Sequence, residues 1–179
     1  MIYGKSYYNQ GLLLIRREKN MKDLSIEVDG GLLNCRAAAI IIHDGKVLFH
    51  RNTADVYYAL IGGRVQMCES SDDTVKREIK EEIGKDVEIT GYVATIENFF
   101  NAKGKAYHEI LFVHKAEFVE DEDKKITETL QNIEGDTEKH VQYEWLDINK
   151  FDEYDIRPSM IKDILINQEY PVHVINKGK

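Results

Sequence analysis

The stretch SSDDTVKREIKEEIG, from Ser70 to Gly84, constrains the fold more tightly than any other part of the chain. At 100° per residue, Val75, Ile79 and Ile83 fall on one stripe, and Glu81 and Glu82 lie on either side of Glu78. The pattern predicts a helix over about 72–83 with one apolar edge to bury and a carboxylate face beside it. Ser70 followed by Asp73 is a capping-box-like start with Asp in place of the preferred Glu, and Gly84 stands where a left-handed residue stops a helix.

The flanks read as strands. LSIEV, Asp29-Gly30, LLNCRAAAIII, Asp44-Gly45 and KVLFHR place two Asp-Gly turns between apolar runs, a strong hairpin signal and an antiparallel start. NTADVYYALIGG is loop running into a short apolar segment. After the helix, VEITGYVATIENFF and AYHEILFVHKAEFV flank the turn-like NAKGK and should pair as a hairpin. The acidic stretch from Glu120 to Lys139 lacks sustained apolar periodicity and reads as a long loop. VQYEWLDI is a further strand, and a last helix begins near Pro158, where proline suits the first turn. Strands, helix, strands, helix without regular alternation indicates an α+β chain with a mixed sheet covered by helices.

A chain of 179 residues with 42% hydrophobic and 31% charged residues has the size and content of one globular domain. Its net charge of -8 argues against a surface built to neutralise a nucleic-acid backbone, although small anions remain accessible if cations supply positive charge. Cys35 and Cys68 have neither disulfide-framework nor zinc spacing, which suggests reduced thiols and a cytoplasmic protein. No apolar run approaches the roughly 18 to 20 residues of a membrane span. Residues 1–20 carry a short apolar stretch before a basic pair, the wrong order for a secretory signal, and precede a second methionine. We expect translation to start at Met21, with 1–20 a dispensable extension that is not native and 21–179 the single domain.

Like charges at i,i+3 and i,i+4 destabilise a helix by a few tenths of a kcal/mol per pair, and each carboxylate makes its neighbours harder to ionise. A divalent cation reverses both effects, and hard oxygen ligands suit Mg²⁺ or Mn²⁺ rather than zinc. Taken alone, Glu81-Glu82 also fits a solvated helix face. The wider spacing is more specific. Gly63, five residues, Glu69, seven residues, then Arg77-Glu78-Ile79-x-Glu81-Glu82-x-Gly84 resembles the Nudix hydrolase signature Gly-x5-Glu-x7-Arg-Glu-U-x-Glu-Glu-x-Gly-U, where U is apolar. Seven fixed identities at ordinary residue frequencies coincide by chance less than about once in ten million starts. The final apolar position departs from the pattern, being Lys85, and Ile61 replaces the proline that often precedes the glycine pair. VLFHRN, YYALIGG and YEWLDINKFDEYDIRPSMIKDIL extend the resemblance over most of residues 24–167.

The resemblance implies an α/β/α sandwich and hydrolysis of a nucleoside diphosphate linked to another group: a nucleoside triphosphate, a nucleotide-sugar such as ADP-ribose, or a dinucleoside polyphosphate. It implies Mg²⁺ or Mn²⁺ held by the Gly62 carbonyl, Glu78, Glu81 and Glu82, with Glu69 and Arg77 bracing loop against helix. Glu78 is one expected base, Glu82 part of the catalytic set, and Glu138 the expected late-loop base or extra ligand, with Glu97, Glu109 and Glu134 the competing choices. Arg51 is placed to contact a phosphate, its guanidinium matching phosphate oxygens, and Tyr58 to stack on a base, with salt-bridge and core roles the alternatives. A small-molecule nucleotide partner is expected, with no nucleic acid and no membrane, and a homodimer is left open. The proline near Phe99 or Phe100 frequent in ADP-ribose members is absent, Asn101 stands where dinucleoside polyphosphate members often carry tyrosine, and the coenzyme A and NADH motifs are missing. A catalytically silent Nudix-like module is the alternative, although such modules typically lose carboxylates retained here. A Nudix-fold prenyl diphosphate isomerase lacks recognisable context around Cys68.

Overall fold

The chain is organised on one mixed sheet. A computed structural model describes residues 21–53, 55–120 and 141–177; residues 1–20, Glu138 and nearly all of the expected acidic loop lie outside them. The strands are β1 (Ser25–Val28), β2 (Gly31–His43), β3 (Lys46–Asn52), β4 (Ala59–Arg64), β5 (Val87–Ala102), β6 (Lys105–Phe118), β7 (Val141–Asp147) and β8 (Val172–Asn176). Helix α1 (Ser71–Ile83) lies between β4 and β5, and a 3-10 segment (Ile148–Glu153) with α2 (Met160–Asn167) lies between β7 and β8.

Turn chemistry accounts for the hairpins. Asp29-Gly30, Asp44-Gly45 and Lys103-Gly104 all have positive φ at both positions, the backbone twist that closes two-residue hairpins. Beyond its turn, β3 stays on β2 for only two residue pairs, Ile42 with Val47 and His43 with Lys46. β4 then takes the place beside both strands, giving the order β7-β3-β4-β2-β6-β5-β8 with β1 also on β2. Parallel pairings of β2 with β6 and β5 with β8 make the sheet mixed, as the element order indicated.

Both faces of the sheet are covered. Ala37, Ala39 and Ile41 pack with Val75, Ile79 and Ile83 of α1 on one face. Ala38 and Ile40 pack with Phe151, Ile161, Ile164 and Leu165 on the other. Burial on both sides explains why RAAAIII reads as a continuous apolar run instead of an alternating one. The helix boundaries match the expectation: the Ser70 side chain accepts from the Asp73 amide, and Gly84 is left-handed at φ 72°. Among the described residues, no helix is long and apolar enough to cross a membrane.

Candidate active site

The glycine pair in β4 is required by close approach on both faces. A Cβ on Gly62 would lie 2.1 Å from the Ala37 carbonyl oxygen and 2.6 Å from Ala38 Cα. A Cβ on Gly63 would lie 2.1 Å from the Glu78 carboxyl carbon. The absent side chain at Gly63 is therefore the space into which the Glu78 carboxylate packs.

Arg77 organises the acidic face. Its Nε donates to Glu69 Oε1 at 2.8 Å and its Nη2 to Glu69 Oε2 at 3.0 Å, a bidentate pair. Nη1 donates to Glu78 Oε1 at 2.7 Å and to Glu81 Oε2 at 2.8 Å, and Nη2 also reaches the Arg64 carbonyl at 3.0 Å. Glu69 additionally accepts from the Gln66 amide at 3.0 Å and the Thr74 hydroxyl at 2.8 Å. Burial alone would raise the Glu69 carboxyl; the bonds from Arg77, Gln66 and Thr74 outweigh it and hold the group below its ordinary range. At Glu78 the balance is reversed, since burial raises the carboxyl despite Arg77. A carboxylate raised in this way is closer in basicity to a working proton acceptor than an exposed one.

Glu82 points to a different neighbourhood. Its Oε2 is 3.8 Å from His50 Nδ1 on β3. Burial, and then the Arg36 charge, push the His50 imidazole down to about 4, so it is neutral at pH 7. Burial, followed by the adjacent Glu82 carboxylate, holds the Tyr143 phenol well above its ordinary range. β3 and β7 thus form the wall facing the last carboxylate of the helix.

Arg51 and Tyr58 come together at the β3–β7 edge. Arg51 Nη2 donates to Gln142 Oε1 at 2.8 Å and pairs with Glu144 Oε1 at 3.3 Å, and its guanidinium lies 5.2 Å from the centre of the Tyr58 ring. The Tyr58 hydroxyl donates to Glu144 Oε2 at 2.9 Å. Glu138 lies outside the described residues. Phe100 stacks on Tyr107 across the β5–β6 hairpin, with ring centres 4.8 Å apart.

Three residues that the motif does not contain join the site: His50, Tyr143 and Arg36, whose Nη2 donates to the Gly62 carbonyl at 3.1 Å. Arg36 left one sequence signal, a charge inside the otherwise apolar run CRAAAIII. His50 and Tyr143 left none, because only the β3–β7 pairing places them beside each other.

Oxygen donors, an adjacent backbone carbonyl and an arginine-braced helix define a class of site suited to phosphate chemistry. A family model of the NUDIX domain matches residues 33–164. The chain belongs to the Nudix family and is a hydrolase acting on phosphoric anhydrides. No curated protein sequence matches it. Solved structures confirm the fold. An ADP-ribose pyrophosphatase from Streptococcus suis 89-1591 matches at 15% identity and TM-score 0.56, over 79% of this chain and 98% of that one. A MutT protein from Bacillus halodurans matches at 22% identity and TM-score 0.52, over 76% and 80%. A UDP-X diphosphatase matches at 17% identity and TM-score 0.53, over 80% of this chain, which spans 66% of the length of that protein.

Proposed function

We propose that the protein is a metal-dependent pyrophosphohydrolase that cleaves a nucleoside diphosphate linked to another group. The observation that carries this reading is the placement of Glu78 over Gly63, with Glu81 drawn to the same Arg77 nitrogen. All the donors are hard oxygens, which fit Mg²⁺ or Mn²⁺ in kind. Among the described residues, no three metal-ligating side chains already converge on one point. Glu78 and Glu81 would therefore turn from Arg77 to take up the ion, with Glu82 and Gly62 completing the set.

Bound cations would offset the negative charge by which a diphosphate repels a nucleophile and stabilise the departing phosphate. The chain's own residues supply the rest. Glu78 is one proposed acceptor for a proton from the attacking water. Arg77 stays anchored on Glu69 while its Nη1 bonds exchange, so the helix keeps its position as the carboxylates move. Glu138 remains the proposed additional base or ligand, and Arg51 with Tyr58 the proposed contacts to substrate. The structures of an ADP-ribose pyrophosphatase and a UDP-X diphosphatase support a nucleoside diphosphate joined to a second moiety as the substrate class. A cytoplasmic location belongs to the same proposal.

Phosphate or nucleotide release from a panel of nucleoside triphosphates, nucleotide-sugars and dinucleoside polyphosphates tests the proposal. Activity should require Mg²⁺ or Mn²⁺, be abolished by EDTA, and fall at least about 100-fold in Glu82→Gln with the melting temperature little changed. A Glu82→Gln enzyme of normal rate would refute the assignment, and nucleotide binding without release would leave the binding-module alternative.

A further inference from the structure

We propose that Arg36 is a substrate-binding residue that grips the oxygens of the diphosphate from β2, across the Gly62 carbonyl from the carboxylates of α1. The inference rests on the pyrophosphohydrolase reading and adds to it a residue outside the signature.

The first ground is how the described arginines are engaged. Arg51 pairs with Glu144, Arg64 with Asp23, Arg77 with Glu69, Glu78 and Glu81, and Arg157 with Asp155. Arg36 is the exception among the described residues, bonding to a neutral backbone carbonyl with no carboxylate in ion-pair range. In a chain of net charge -8, a half-buried guanidinium with no carboxylate of the described residues at ion-pair distance is unusual. A guanidinium has five N–H donors in a planar fork that matches phosphate oxygens, and one bond to Gly62 leaves most of them available.

The second ground is position. Arg36 lies close enough for its charge to act on Glu78, His50 and Tyr57, groups contributed by α1, β3 and the loop before β4. It shares the Gly62 carbonyl with the proposed cation site. Two positive groups on one carbonyl repel each other unless an anion lies between them. A diphosphate bridging the cations and the guanidinium satisfies both, and the half-buried setting strengthens that contact relative to one in open water. A structural brace for Gly62 would need only a single neutral donor.

The test compares wild type with Arg36→Gln and Arg36→Lys, using α,β-methylene-ADP with Mg²⁺ as a non-hydrolysable probe. Titration calorimetry should show probe affinity roughly 10- to 100-fold weaker in Arg36→Gln, partly recovered in Arg36→Lys. Mn²⁺ binding without nucleotide and the melting temperature should change little. Equal probe affinity in wild type and Arg36→Gln would overturn the inference. So would a loss of Mn²⁺ affinity in step with the loss of probe affinity, since Arg36 would then serve only the Gly62 carbonyl. Hydrolysis of the nucleotide panel by Arg36→Gln as fast as by wild type would overturn this inference alone. A wild type that hydrolyses nothing and does not bind the probe overturns the function as well.

Discussion

Arg77 places four carboxylate-facing bonds on one guanidinium, and that economy explains how three glutamates fit on two turns of helix. Glu78 and Glu81 share its Nη1, so their repulsion is offset before any other cation arrives. Glu69 holds the far side of the same group from a loop position that is only 12% exposed. We propose that its role is structural, and predict that Glu69→Gln lowers stability by about 1 to 3 kcal/mol while affecting kcat less. The Glu69 carboxyl is lowered in the folded state, so its contribution is present above its ordinary value of 4.5 and is lost as pH falls through the folded value. Urea unfolding of wild type and Glu69→Gln should accordingly differ most near pH 7 and converge in acid. A gap that widens on acidification would contradict the role.

At the scale of elements, β4 and α1 act as a unit. The two glycines look alike in the sequence, but they face different obstacles: backbone of β2 at Gly62 and the end of a side chain at Gly63. Backbone cannot move without disturbing the β2–β4 pairing, whereas Glu78 can rotate away. Gly62→Ala should therefore destabilise the protein by roughly 3 kcal/mol. Gly63→Ala should alter stability by about 1 kcal/mol yet reduce kcat/KM roughly 100-fold, because it displaces the carboxylate over the site. Melting curves and kinetics on the two variants separate these outcomes, and equal stability losses would show that Glu78 is not free to yield. The helix register, both caps and the three hairpin turns were legible in the sequence because each depends on residues within four positions of one another. The strand β8 was not. PVHVIN is short, and it becomes a strand only because the edge of β5 offers a parallel partner from Ala94 to Asn98.

Over the whole molecule, the packing of helix on sheet carries a pH dependence. His114 of β6 is buried, and its Nε2 lies 2.8 Å from the Ser71 hydroxyl at the start of α1. Burial lowers its imidazole below the ordinary 6.5, with the Asp72 charge opposing in part. The folded protein therefore stays neutral at this position when the unfolded chain begins to take up a proton. Stability is full above pH 6.5 and falls as pH drops below it, at no more than about 1.4 kcal/mol per pH unit for one such group. We predict a smaller loss of stability between pH 7 and 5 in His114→Gln, measured by denaturant midpoints. An unchanged slope would mean that His114 does not titrate differently on folding.

The sequence by itself determined the local chemistry: an amphipathic helix with its carboxylates in register, the turns, and the spacing from Gly63 through Glu69 to Gly84. These are short-range properties, set by helical periodicity and by which residues accept positive φ. Only the tertiary structure decided what faces that helix. Arg36 meets Gly62 across 26 positions of chain, and Arg51 meets Glu144 across 93. The departure of β3 from β2 and the entry of β4 between them create the wall of His50 and Tyr143 beside Glu82. Such contacts follow from strand order and register, which depend on the burial of both sheet faces at once and on no local spacing.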